Sequence, residues 1–172
     1  MNLIDVTYFK FGPIKINGLE SSNGFSAELS NSLEVDLQRA IAIYEKPYLI
    51  GLLGSDLYEE YVASINNAKW DNLKAQLVNA DLKRSPIANY VYYHFMKAKK
   101  YAYGDIGAYV PKVENMNNVD QNLVLKQAWN DGVEQNFEVC QWLSNNSEAQ
   151  GWDNSVDETG WSVLLKRQSL FA

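Results

Sequence analysis

The sequence has little of the chemistry that most enzymes need, since its 172 residues include one cysteine, Cys140, and one histidine, His94. One cysteine excludes an internal disulfide and cannot build a thiolate metal site, so a reducing compartment is expected. A serine or cysteine hydrolase would need His94 beside a nucleophile, but Cys140 occupies an apolar helical position and no nucleophile-elbow sequence is present. The sequence therefore predicts a protein that is not an enzyme and has no cofactor.

Long apolar runs and basic clusters are also scarce. No stretch approaches the roughly 20 apolar residues of a membrane helix, and the N-terminus lacks the basic start of a signal peptide. The chain has 15 lysines and arginines against 21 aspartates and glutamates, for a net charge of -6. Affinity for phosphate backbones comes from clustered basic residues. We therefore expect no membrane partner and no main task of gripping nucleic acid, although an acidic protein can surround DNA without holding it.

Acidic residues do not form a convincing metal site. The run from Asp153 through Ser155 to Asp157 and Glu158 has ligands at alternate positions, but Gly160 stands in the wrong place for a calcium loop. This run is more typical of a solvated acidic linker. No metal-binding residues are predicted.

The remaining composition is that of a globular domain. Hydrophobic residues make up 47% and charged residues 21% of the chain, which is ordinary for folded proteins. A chain of this length can bury roughly two-thirds of its unfolded surface. Eleven tyrosines and five tryptophans stand out, and such aromatics suit both a core and a protein interface.

Helical periodicity begins after an N-terminal stretch, 1–24, which alternates like an extended arm or a short strand pair. The first helix is predicted to begin near Ser26 or Asn31 and to stop or kink before Pro47, because a residue preceding proline is pushed out of helical geometry. Gly54 is expected to end the next short helix and Ser55 to cap the one after it. The inward residues predicted for these segments are Leu33, Leu37, Ala40, Ile41, Tyr44, Leu57, Tyr58, Tyr61, Val62 and Ile65.

Three further helices follow in the pattern. A short one carries Trp70, and a longer one starts at the cap-then-proline pair Ser85-Pro86. The last runs over about 120–143, with Gly132 as a weak point unless close packing requires it. The inward residues predicted for the last two helices are Ile87, Tyr90, Val91, His94, Phe95, Ala98, Tyr101, Leu125, Ala128, Trp129, Val133, Phe137 and Cys140.

Periodicity fails in two regions. Segment 103–119 combines glycine, proline and asparagine with apolar residues, which predicts an irregular loop of functional importance. The tail, 146–172, is a polar linker followed by the apolar WSVLLKRQSLF. This tail is expected to dock either on a partner or on the chain's own core.

The predicted fold is mainly α, a small helical bundle of about four to five helices with an extended N-terminal arm and an irregular C-terminal tail. We expect a single helical domain over 1–145, with 1–24 as its arm. Residues 146–172 form the polar linker and docking arm.

Four passages in order carry a resemblance to a known family: LEVDLQRAIAIYEKPYLIGLLGSDLYEEY, SPIANYVYYHFMKA, GAYVPKVENMNNV and QAWNDGVEQNFEVCQWL. Over about 26–143 the chain resembles the head-tail connector proteins of tailed bacteriophages, also called adaptor or head-completion proteins. It is most similar to those of phages and prophages of gut bacteria, where an arm like LIDVTYF also precedes the first helix.

The resemblance implies a structural virion protein, not an enzyme. It implies a ring of copies beneath the portal that extends the DNA channel and seats the tail, with the portal protein and tail or stopper proteins as partners and DNA only as passing cargo. It also implies synthesis in the bacterial cytoplasm and a final location at the head-tail junction. The alternative is a bacterial cytosolic helical module that binds another protein and has no catalytic activity.

The segments that would reach neighbouring copies, portal or tail are then the central loop and the terminal arm. The predicted contact residues are Tyr103, Ile106, Tyr109, Val110, Trp152, Trp161, Leu164, Leu165 and Phe171.

Overall fold

The computed structural model describes residues 2–19, 25–99, 102–104, 107–109, 121–145, 152, 164 and 166–169. Within these residues the chain is mainly helical and forms a small bundle, as the sequence predicts. One two-stranded antiparallel hairpin and one 3-10 turn, Ala68–Trp70, accompany the helices. The elements are α1 (Thr7–Lys10), α2 (Phe25–Leu53), α3 (Ser55–Ala63), α4 (Asp71–Leu77), α5 (Pro86–Lys99), β1 (Ala102–Gly104), β2 (Gly107–Tyr109) and α6 (Gln121–Asn145).

The first long helix contradicts one of the two alternatives predicted at Pro47, because the helix does not stop there. Helix α2 starts at Phe25, places Asn31 inside the helix and continues through Pro47 to Leu53. A proline in a helix interior removes one backbone hydrogen bond. Here the residues that follow are held by burial, because Tyr48, Leu49, Leu52 and Leu53 are at most 4% exposed. Tertiary packing therefore outweighs the local preference of the residue before proline.

The part of the N-terminal arm that the structure describes, 2–19, contains no strand pair, and Thr7–Lys10 form one helical turn. The Asp5 side chain accepts a hydrogen bond of 2.8 Å from the Thr7 backbone N–H, which satisfies a donor at the start of this turn. Tyr8 and Phe9 are 4% and 0% exposed. The arm is thus packed onto the bundle through two aromatic side chains, which favours a compact turn over an extended strand.

The junction between α2 and α3 follows the predicted glycine. Gly54 has a φ of 77° and a ψ of 162°, a conformation that residues with a Cβ rarely adopt. Gly54, and not Ser55, stands at the N-cap position, and Ser55 is the first helical residue. The predicted Ser55 cap is therefore wrong by one position.

The start of α5 agrees with the sequence. The Ser85 hydroxyl accepts hydrogen bonds from the backbone N–H groups of Ile87 and Ala88, and Pro86 is the first helical residue. Along α5, Ala98 is exposed and Tyr92 is buried. The predicted inward position of Ala98 is therefore wrong.

The predicted irregular segment 103–119 contains regular structure at its beginning. Strands β1 and β2 pair antiparallel, with Ala102 opposite Tyr109 and Gly104 opposite Gly107. Two residues separate the strands, as in a tight hairpin. Short strands of three residues carry too little alternation to be predicted from sequence.

The bundle packs α6 and α2 against α5. Gly132 lies at the α5–α6 contact, where an added Cβ would stand 3.1 Å from the Cβ of Asn89. This close approach explains a glycine in the middle of a helix. One inward assignment on α6 is wrong, because Phe137 is 49% exposed while Asn136 is 3% exposed.

None of the described helices is long and apolar enough to cross a lipid bilayer.

Candidate functional site

The structure divides the nine predicted contact residues into three groups. Tyr103 and Tyr109 lie in the hairpin strands β1 and β2. Trp152 and Leu164 make contacts within the chain itself. The other five lie outside the described residues, and these are Ile106, Val110, Trp161, Leu165 and Phe171.

The tail is predicted to dock either on a partner or on the chain's own core. Its described residues dock on the core. Leu164 is 4% exposed and belongs to the core. The indole N–H of Trp152 donates a 2.9 Å hydrogen bond to the carbonyl of Leu52, one of the last carbonyls of α2, which lack partners inside the helix. In this arrangement, Trp152 and Leu164 make contacts within the chain, and their contact with a partner stays a prediction.

Polar side chains of α6 hold the backbone of the tail. The indole N–H of Trp129 donates to the Lys166 carbonyl at 2.8 Å. The Asn130 side chain donates to the Gln168 carbonyl at 2.9 Å and accepts from the Gln168 backbone N–H at 2.7 Å. This paired contact resembles the exchange of two hydrogen bonds between neighbouring strands, so it fixes the register of the tail on α6.

Asn136 joins three parts of the fold. Its side-chain oxygen accepts a hydrogen bond from the Tyr48 hydroxyl of α2. Its side-chain nitrogen donates to the Leu164 carbonyl of the tail at 2.9 Å. Burial raises the pKa of Tyr48 well above its usual value, so the phenol remains a hydrogen-bond donor. Through these two buried hydrogen bonds, the Asn136 side chain links α6 to α2 and to the tail.

His94 lies in an aromatic cluster, which agrees with its predicted role in packing. Its ring stacks on Tyr44 at 4.8 Å between centroids and lies 4.4 Å from Tyr90 and 5.3 Å from Tyr93. Burial, with a smaller contribution from Lys97, lowers the pKa of His94 below its ordinary value. The imidazole is therefore held in its neutral form at neutral pH, surrounded by rings.

Cys140 is buried on α6, as predicted from its apolar position. Its thiol donates a hydrogen bond to the Asn136 backbone carbonyl, one turn earlier. Desolvation raises the pKa of Cys140 to about 12. Since the thiolate is the reactive form, this cysteine has the environment of a structural residue.

Two carboxylates on the surface of α2 form ion pairs with lysines. Glu34 pairs with Lys10, and Asp36 pairs with Lys99 at 2.6 Å. Among the described residues, no group of three or more histidine, cysteine, aspartate or glutamate side chains is arranged to hold a metal ion. The acidic run around Asp153 lies outside the described residues.

Two exposed apolar residues stand beside a backbone contact between the N-terminal segment and the turn before α5. An added Cβ at Gly12 would stand only 2.7 Å from the Lys83 carbonyl oxygen, so the two backbones are in close contact. Phe11 and Leu82, which flank this contact, are 66% and 62% exposed. The turn is held by Asn79, whose side chain accepts from the Leu82 backbone N–H at 2.9 Å. We call Phe11 and Leu82 the apolar pair.

A cleft of about 320 Å³ lies between the N-terminal segment, α2 and α3. Glu45 lines it, is 3% exposed, and accepts hydrogen bonds from the backbone N–H groups of Leu3 at 2.7 Å and Ile4 at 3.4 Å. Burial raises the pKa of Glu45, and these two N–H groups partly offset that effect.

Tyr61 also lines this cleft and is 1% exposed. Its hydroxyl is buried and has no hydrogen-bond partner among the described residues. Burial and, to a lesser degree, the nearby Glu45 carboxylate raise the pKa of Tyr61 to about 12. The phenol therefore stays protonated at neutral pH.

Sequence reasoning missed both the cleft and the apolar pair. Glu45 lies four residues after Ile41 and three before Tyr48, so all three share one helical face. This spacing is the signal in the sequence that Glu45 faces inward. Tyr61 was placed inward, but its unpartnered hydroxyl depends on tertiary packing. Phe11 and Leu82 are the sequence neighbours of Gly12 and Lys83, whose backbones meet across about 70 residues of chain, and periodicity does not reveal that contact.

Comparison with known proteins gives no relative. The chain matches no family model, and neither a curated protein nor a solved structure is significantly similar to it.

Proposed function

We propose that this protein is a structural component of a tailed bacteriophage, forming a ring at the head-tail junction beneath the portal. In this role it extends the DNA channel and seats the tail, and it has no catalytic activity. Support comes from the ordered resemblance over 26–143 together with a mainly helical bundle. The described histidine and cysteine support the non-catalytic part, because both are engaged in packing.

The observation that carries the proposal furthest is the apolar pair. Single exposed apolar residues are ordinary on protein surfaces, but Phe11 and Leu82 flank one backbone contact and are more exposed than the other large apolar side chains described. Contiguous exposed apolar groups mark interaction surfaces, and the proposal assigns the apolar pair to one such surface. A ring also needs a second, different face on each subunit. Candidates for that face are Val35 and Ile43 on α2, each 54% exposed.

The test is reconstitution of the ring. Genes for portal, capsid and tail proteins beside this one would identify the portal protein to use. The wild-type chain is expected to co-purify with that portal and to form rings visible by electron microscopy. The double variant Phe11→Ser, Leu82→Ser is expected to keep its helical circular dichroism and to lose ring formation.

A matched control is Val124→Ser, which removes an apolar side chain that is 36% exposed on α6. It is expected to leave ring formation unchanged. Two results together would favour the alternative of a bacterial helical interaction module. These are a gene neighbourhood without virion genes and a protein that stays monomeric and does not bind a portal protein. Rings that persist in the double variant would remove the apolar pair from the interface.

A further inference from the structure

The cleft beside α2 and α3 combines an apolar wall with two buried polar groups. Leu49 of α2, Val62 of α3 and Ile65, just beyond the end of α3, provide the apolar side. The volume of about 320 Å³ lies at the lower end of the range for small-molecule sites. It is large enough for one long amino-acid side chain or an equivalent small molecule.

The two polar groups require the same kind of partner. An ionised carboxylate offers about four acceptor positions and no donor. Glu45 uses its oxygens for the Leu3 and Ile4 N–H groups, so acceptor capacity is left over. The Tyr61 hydroxyl, which can donate and accept, has no hydrogen-bond partner in the part of the chain that the structure describes. A buried hydroxyl without a hydrogen bond lowers the stability of a folded protein. A ligand that forms this hydrogen bond therefore gains binding free energy.

Charge narrows the class of ligand. A buried carboxylate is stabilised by a cation that comes within hydrogen-bond distance. Lys46 lines the cleft, but it forms no ion pair with Glu45 among the described residues. The positive charge of the N-terminus also lowers the pKa of Glu45, but it is the smallest of the effects on this group. A group with several N–H donors and a positive charge satisfies Glu45 and Tyr61 together, and an aliphatic stem suits the apolar wall.

We propose that this cleft binds an alkylguanidinium or alkylammonium group, whose N–H groups donate to the Glu45 carboxylate and the Tyr61 hydroxyl. The aliphatic stem lies against Leu49 and Val62. Less than 1 Å² of the Tyr61 hydroxyl is exposed, so entry requires a rim side chain to rotate outward. Val62, which is 48% exposed, stands at this rim. The inference is independent of the proposed phage function.

The first experiment titrates the full ¹⁵N-labelled chain with n-butylguanidinium chloride and follows backbone amide shifts. Saturable shifts are expected at Leu3, Ile4 and Glu45 and along α3. The variant Tyr61→Phe is expected to weaken binding about tenfold or more, since a hydrogen bond to a charged group is lost. The same variant is expected to raise the thermal midpoint of the free protein by roughly 2–4 °C, because it removes an unpartnered buried hydroxyl.

Tyr92→Phe is the matched control, because Tyr92 is 6% exposed on α5 and does not line the cleft. It is expected to bind the ligand as the wild type does. A second titration uses an acetylated, amidated Leu-Arg-Leu peptide. Tighter binding of the peptide identifies the source as an arginine of a protein segment, whereas equal or weaker binding identifies a free small cation.

Two results would overturn the inference. One is the absence of saturable shifts with both probes. The other is undiminished binding to the Tyr61→Phe variant, which would show that the ligand does not contact the Tyr61 hydroxyl.

Discussion

Replacing Asn136 with alanine is expected to destabilise the fold strongly, because this side chain serves two buried partners. The substitution leaves the Tyr48 hydroxyl and the Leu164 carbonyl without their hydrogen bonds. An unsatisfied buried polar group costs about 1–3 kcal/mol. With partial relaxation at the tail, we expect a loss of about 2–4 kcal/mol in the free energy of unfolding.

The assay is equilibrium denaturation by urea, followed by circular dichroism. Tyr48→Phe alone is expected to cost about 1–2 kcal/mol, because it strands the Asn136 oxygen. The double variant should cost less than the sum of the two single variants, with a coupling of about 1 kcal/mol, since both remove the same hydrogen bond.

Asn145→Ala provides the control. Asn145 is exposed near the end of the same helix and bonds only to the Gln141 carbonyl within α6. It carries the same change in helix propensity, but should shift stability by no more than about 0.5 kcal/mol. If Asn136→Ala behaved like Asn145→Ala, the described link between α2, α6 and the tail would be refuted.

Three further predictions concern other parts of the fold. Gly12→Ala should lower the free energy of unfolding by about 1–3 kcal/mol through overpacking, because its Cβ meets the carbonyl oxygens of Tyr8 and Lys83; unchanged urea denaturation would contradict that contact. Cys140, with its pKa raised to about 12, should react with iodoacetamide at least about 100-fold faster in urea than in the native state, and equal rates would contradict its burial. The lowered pKa of His94 means that the unfolded chain binds this proton first, so its stabilising contribution is complete above about pH 6.5 and is lost as the pH falls. His94→Gln should therefore lose less stability than the wild type between about pH 7 and pH 5 in urea denaturation, and parallel losses would contradict this prediction.

Much of the helical architecture could be predicted from local patterns. The face of α2 that carries Leu37 and Ile41 follows the helical period, and both residues are at most 2% exposed. Ser85 and Pro86 mark the start of α5 by a local capping mechanism. Signals of this kind act within a few residues, so they survive in the sequence.

The misses share one physical origin, which is long-range packing. Pro47 argues locally for a break in α2, but burial on both sides of it keeps the helix continuous. Asn136 looks like a surface residue, yet the returning tail requires a polar partner at that position. Glu45 is buried, and it accepts hydrogen bonds from the backbone N–H groups of Leu3 and Ile4, which lie 42 and 41 residues earlier in the chain. None of these contacts leaves a periodic trace.

The central claim is that this protein forms a ring at a phage head-tail junction, and the most direct test is the composition of purified particles. Quantitative mass spectrometry on particles induced from the bacterium that carries this gene would compare the protein with portal and capsid proteins. The proposal predicts about one copy per portal subunit, as expected for a closed ring that stacks on the portal. Its absence from particles that contain portal and capsid would contradict the claim.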